Sequence, residues 1–167
     1  MKLIDNIKNI VLNPIEFFNQ DISNIKESFT YYAILSAFFV VLSSIVAFLI
    51  STSSFKLTSI LLTYLATIAG IFISTLILLI WLIIWRAKIN YNTAFGLEVY
   101  AATPNLLLGW IPIVGSLAQL YSFVLLIVGT KEITKFSYTK TVLIYLIHLI
   151  LIIIILLVLG VSYNLLN

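Results

Sequence analysis

The stretch LTSILLTYLATIAGIFISTLILLIWLIIW, residues 57–85, holds no Asp, Glu, Lys, Arg or His. As a helix it is roughly 43 Å long, against a hydrocarbon core of roughly 30 Å. It therefore reads as a tilted membrane span. Working outward, residues 29–50 carry no Asp, Glu, Lys, Arg or His, 94–128 carry only Glu98 of these, and 141–161 carry only His148. The 94–128 stretch is interrupted at Gly109-Trp110-Ile111-Pro112. Pro112 is poorly tolerated inside a helix and suits the first turn of a new one. The expected fold is all-α, an integral membrane bundle of five transmembrane helices in residues 29–167, at about 29–50, 57–85, 94–110, 112–128 and 141–161. Short amphipathic helices in residues 1–28 are expected to precede it.

Composition agrees. The chain is 62% hydrophobic and 9% charged, whereas soluble domains run near ~25% charged. With 167 residues and most of them in spans, there is no room for a second soluble module. The absence of cysteine removes disulfides, thiolate nucleophiles and Cys-ligated zinc. No signal peptide is read in residues 1–28, which lack an apolar run followed by a small-residue cleavage site. The net charge of +3 reflects loops held on one side of a bilayer, and no nucleic-acid motif is present.

The basic residues set the orientation. Eight of the nine fall in alternate segments: Lys2, Lys8 and Lys26, then Arg86 and Lys88, then Lys131, Lys135 and Lys140. The remaining segments hold only Lys56. The positive-inside rule puts the N-terminus in the cytoplasm and the C-terminus outside or in a lumen. A middle hairpin that only dipped into the bilayer would leave this unchanged, since both its ends stay cytoplasmic.

Leu3, Ile4, Ile7, Ile10 and Val11 recur at helical spacing, as do Ile15, Phe18, Ile22 and Ile25 after a break at Asn13-Pro14. Two short amphipathic helices along the cytoplasmic membrane face are expected. They read either as a collar packed on the bundle or headgroups or as a docking surface for a protein partner, anchored by Phe17 and Phe18. Within the membrane, helices associate through small residues and polar contacts. Ala66, Gly70 and Ser74 form a small-xxx-small face suited to packing inside the bundle or to a homo-oligomer.

Glu98 and His148 are the two ionisable residues within the spans, at depths of about 6 and 10 Å from the cytoplasmic ends. If helices three and five are neighbours, the two could meet, relay a proton or bind a cation. In a structural reading, Glu98 reaches interfacial water or pairs with Arg86 or Lys88, and His148 bonds a backbone carbonyl. One Glu and one His are too few for a metal site. Pro104 cannot donate to the carbonyl of Tyr100, so a kink is expected there, with Thr103 or a neighbouring helix satisfying the freed group. With Gly109, Pro112 and Gly115 it makes spans three and four the irregular part of the bundle. No nucleophile elbow, P-loop, dinucleotide fingerprint or HExxH is present. The expectation is a non-enzyme without catalytic residues, cofactor or metal. The alternative is a small transporter or channel using Glu98 and His148.

Tyr100-Ala101-Ala102-Thr103-Pro104, Gly109-Trp110-Ile111-Pro112-Ile113-Val114-Gly115, Tyr121, Gly129-Thr130-Lys131-Glu132 and Ser137 together resemble the Yip domain family. Asn13-Pro14, followed by Phe17 and Phe18, resembles the start of its prokaryotic members. The resemblance implies five spans and a cytoplasmic N-terminus, matching the charge count. It implies membrane organisation or vesicle-mediated transport, with a Rab-type GTPase as the partner of eukaryotic members. This chain differs from those members in having no long cytosolic N-terminal region. Its Ile, Asn and Lys usage and short loops resemble a prokaryotic member of the cell membrane. No catalytic residue carries over.

Overall fold

The computed structural model describes residues 3–50, 57–147 and 149–150. Among these the structure is helical and contains no strand. In chain order the helices are α1 (Leu3–Leu12), α2 (Pro14–Phe18), α3 (Ile25–Ile50), α4 (Leu57–Ile84), α5 (Tyr91–Ala101), α6 (Thr103–Leu108), α7 (Val114–Thr134) and α8 (Tyr138–Ile147). Three are long and apolar enough to cross a bilayer: α3, α4 and α7. Of the expected fifth span, His148 and residues 151–161 lie outside the described residues.

The α5 helix is the hub. It packs against α3, α4 and α7, and Ala94 to Leu97 and Val99 to Ala101 are all buried. Its start is fixed by Asn90, whose side chain accepts from the Thr93 N–H. The long helices α3 and α4 bury one face only. Their buried residues run from Ser28 to Val40 and from Ile71 to Leu82. Outward of Val40 and of Ile71 neither helix buries a residue. The second half of α8 closes the other side: Trp81 Nε1 donates to Ile144 O at 3.2 Å, and Thr130 Oγ1 lies 2.6 Å from Tyr145 OH.

The chain between Tyr91 and Leu108 is broken where one kinked span was expected. The α5 helix stops at Ala101 and α6 begins at Thr103, with Pro104 in its first turn. Pro104 has no N–H for the Tyr100 carbonyl, and Thr103 Oγ1 donates to that oxygen at 2.7 Å. The next helix also starts later than Pro112. It begins at Val114, because Ile113 takes φ 69°, ψ −55°, with Val114 N–H bonding Pro112 O at 2.8 Å. That is a γ-turn, an uncommon conformation for a β-branched residue. Gly115 fits behind it because a Cβ there would lie 2.5 Å from Gly109 O.

The N-terminal helices form at the expected break, with Pro14 in the first turn of α2. They do not form a separate surface layer. The α1 helix touches α2 and α6, and α2 packs on α7. The second helix also ends earlier than the apolar spacing suggested, at Phe18. Asn19 Nδ2 bonds Ile15 O at 2.9 Å, and Asp21 Oδ1 accepts from Ser23 N–H at 2.9 Å. These side chains compete with helix propagation, and Asn19 to Asn24 is left as a loop.

Candidate functional site

Glu98 is the half-buried carboxyl of α5. Thr75 Oγ1 of α4 lies 2.7 Å from its Oε2 and 2.7 Å from Ile71 O. That one hydroxyl proton has two acceptors within reach. Ser74 Oγ, one residue earlier, donates to Ile71 O at 3.2 Å. A cleft of about 220 Å³ opens beside Glu98 between α5 and α7, where Ala102, Gln119, Ser122 and Phe123 line it. Ser122 Oγ accepts from the Asn105 N–H at 3.1 Å, one of the backbone groups at the α6 start. Neither Arg86 nor Lys88 bonds Glu98: the ion pairs among the described residues run from Glu132 to Lys131 and Lys135. His148 lies outside the described residues, so the Glu98–His148 pairing stays an expectation. No group of three or more His, Asp or Glu that could hold a metal occurs among the described residues.

A second cleft of about 220 Å³ lies at the basic end of α7. Glu132, 7% exposed, accepts from Lys131 Nζ and from Asn19 Nδ2, the latter at 3.3 Å. Lys135 Nζ bonds Asn19 Oδ1 at 2.7 Å and stands 3.8 Å from Glu132. This polar clasp fastens the loop after α2 to the end of α7. Asp21 stands at the rim of the cleft. The Ser23 side chain and backbone N–H bond its carboxylate and hold it below the usual aspartate range.

The pattern-derived candidates are distributed unevenly. Phe17 and Phe18 are 5% and 2% exposed, so they are not available to a partner. Phe17 stands edge-on to Tyr100 at 5.0 Å, and Phe18 packs where a Cβ on Gly129 would be 3.0 Å from its ring. They resemble docking anchors in sequence because an amphipathic helix carries the same periodicity whether it covers lipid or protein. The Ala66, Gly70, Ser74 stripe is likewise not how α4 packs inside the chain. Ala66 and Gly70 are exposed, and nothing lies within 4 Å of a Cβ built on Gly70. The packed face is Ile71, Thr75, Leu78 and Leu82. Pro104, Gly109, Pro112 and Gly115 do cluster at the α5–α6 joint and the α6–α7 turn. Sequence reasoning passed over Gly96, where a Cβ would fall 2.2 Å from Ile22 O. A glycine among six residues of one helix that are all apolar or aromatic, and all buried in the structure, was its only signal.

A family model described as the Yip1 domain matches residues 8–160. No curated protein and no solved structure matches significantly. The match starts within α1 and covers every helix from α2 to α8, including the Thr103-Pro104 joint and the Gly109–Gly115 turn. With nearly the whole chain matched over this apolar helical bundle, the protein belongs to the Yip1 domain family.

Proposed function

We propose that the chain is a non-enzymatic, prokaryotic-type Yip membrane protein that organises protein partners or membrane shape from the cytoplasmic side. Its five apolar segments follow the N-terminal helices. The middle two form one hairpin with both ends cytoplasmic, and the C-terminus lies outside. The observation that carries this reading is the family match over residues 8–160 on an apolar helical bundle. The alternating placement of the basic residues supports the orientation. Exposed apolar residues of the N-terminal helices, Ile4 at 77% and Leu12 at 63%, beside exposed Asp5, Lys8 and Asn9, suit the interface between headgroups and acyl chains. They replace Phe17 and Phe18 as the surface a partner would meet. A GTPase partner rests on family analogy alone.

The test is a photo-crosslinking residue at Ile4 or Leu12 in native membranes. Discrete protein adducts are expected there, absent when the probe stands at the exposed Leu61 of α4. Adducts with lipid alone from both positions would remove the partner half of the proposal.

The cleft at Glu98 favours a second reading, a transporter or channel using Glu98 and His148. In that case liposomes carrying the protein pass protons or small cations, and Glu98→Gln stops the flux. An unchanged flux, or none at all, retires it.

A further inference from the structure

The lipid-facing band of the α6–α7 hairpin is half as tall as that of α3. On α7 the large apolar residues open to the surroundings are Val114, Leu117, Leu120, Phe123 and Val124, a band of roughly 15 Å. From Leu125 to Ser137, and from Trp85 to Leu107, no large apolar residue is exposed. On α3 the band runs from Phe29 at 37% to Ile50 at 73%, roughly 32 Å, which matches the whole hydrocarbon core.

The level of the turn fits this difference. Gly109 packs on the ring of Phe39, which would stand 3.1 Å from a Cβ there. Beyond Phe39, α3 continues for roughly 16 Å to Ile50; after Val40 none of its residues is buried, and Val41, Ile45, Phe48, Leu49 and Ile50 are exposed. It needs lipid around it, so the turn lies about half a bilayer short of the far surface. The charged groups agree. Lys26 and Glu27 lie roughly 18–20 Å below Phe39 along α3. A turn at the far surface, about 30 Å from the near one, would drag both about 10 Å into hydrocarbon. Tyr121, roughly 10 Å below the top of α7, holds Val11 O of α1 at 2.7 Å. The exposed Asp5 and Lys8 on that helix belong near headgroups rather than in acyl chains.

The turn itself is built for lipid. Residues 106–115 carry no polar side chain except the Trp110 indole. That indole donates to Leu107 O at 2.7 Å. Ile111, Val114 and Gly115 N–H groups bond Leu108, Pro112 and Ile111 carbonyls at 2.7–3.0 Å. Backbone outside a regular helix is tolerated at membrane depth only when it is satisfied internally. Ile113, 84% exposed at the tip, is at home there and not in water.

We propose that the α5–α7 hairpin turns back inside the bilayer, making the chain a wedge that is wider in the cytoplasmic leaflet and favours a membrane convex toward the cytoplasm. This rests on the orientation proposed above. It deepens the membrane-shaping half of that reading. In the cytoplasmic leaflet α1, α2 and the hairpin add their cross-section to α3 and α4. In the other leaflet the outer halves of α3 and α4 remain, together with the last apolar segment that the proposed orientation carries across. Extra area inserted in one leaflet is relieved by bending toward it.

The chain has no cysteine, so Ile113→Cys, Leu117→Cys and Gln20→Cys each give a single thiol. A membrane-impermeant maleimide is applied from each side of oriented membranes, then again after detergent. The tip thiols are expected to stay unlabelled from both sides and to react in detergent, with Gln20→Cys labelled from the cytoplasmic side. Labelling of Ile113→Cys from the face opposite Gln20→Cys overturns the hairpin. Labelling of Gln20→Cys from outside overturns the orientation and leaves the hairpin standing. If a tip variant fails to react in detergent, depth is read instead from Trp110 fluorescence quenched by brominated lipids, in a Trp81→Phe, Trp85→Phe background. Quenching near the bilayer centre supports the hairpin, and quenching at the far interface overturns it. The full chain is finally reconstituted into phosphatidylcholine–phosphatidylglycerol vesicles. A fall in mean vesicle diameter relative to lipid alone is expected, and an unchanged diameter with a buried tip overturns the wedge.

Discussion

Gly96 and Gly70 show what a single residue's surroundings decide. Both are glycines on apolar helices, and only Gly70 stands in a recognisable small-residue pattern. Yet the backbone of Ile22 lies across Gly96, 2.2 Å from where a Cβ would be, and the space at Gly70 is empty. Gly96→Ala is expected to lower stability in detergent by about 1–3 kcal/mol, since backbone must move to admit the methyl. Gly70→Ala is expected to leave it unchanged or raise it by about 0.5–1 kcal/mol through helix propensity. Thermal unfolding of the two variants side by side checks this, and equal losses would mean the loop does not cross α5 at Gly96. Phe18 provides a parallel case. As a docking anchor it would be expendable to the fold. At 2% exposure its loss in Phe18→Ala should cost about 3–5 kcal/mol.

At the scale of elements, the sequence disclosed the helices better than their partners. The 57–85 run became α4 almost end for end, because an unbroken apolar stretch has no other way to satisfy its backbone in lipid. The α5–α6 break was legible as a kink at a proline, with Thr103 or a neighbouring helix to satisfy the freed carbonyl. Its consequence depends on Thr103, whose hydroxyl serves Tyr100 O and also meets Tyr31 OH at 2.9 Å. Thr103→Val keeps the shape and removes both bonds. A loss of about 1–2 kcal/mol in unfolding is expected, and no loss would mean the joint is held by packing alone. The N-terminal helices were legible as helices, and packing on the bundle was one of the readings that their spacing left open. Ile10, Phe17, Phe18 and Ile22 are all buried, and the Asn19–Glu132–Lys135 clasp ties their end to α7. Amphipathic spacing states that a face is covered and is silent on what covers it. Removing residues 1–23 should therefore aggregate the protein in detergent, where a lipid-bound collar could be lost harmlessly. Size-exclusion chromatography distinguishes the two.

For the whole molecule, the placement of nine basic residues constrains more than any contact does. Side is set by loop charge, and loop charge is additive along the chain. Parity follows from the ends alone. The middle hairpin begins and ends on one side whether it crosses or turns back, so it changes the crossing count by two or by none. Tags at the termini are therefore blind to the hairpin and decisive for the orientation. An N-terminal tag should be reached only from the cytoplasm, and a C-terminal phosphatase, active only outside, should be active. Converting Lys131, Lys135 and Lys140 together to Gln leaves Lys2, Lys8, Lys26, Arg86 and Lys88 against Lys56. That variant should keep its phosphatase activity if orientation is set by the sum of the charges. If the last helix were instead oriented by its own flanking lysines, the activity would fall while the N-terminal tag stayed cytoplasmic. Finding both ends of the unaltered chain in one compartment would remove the odd crossing number, and with it the assignment of the hairpin to the cytoplasmic leaflet.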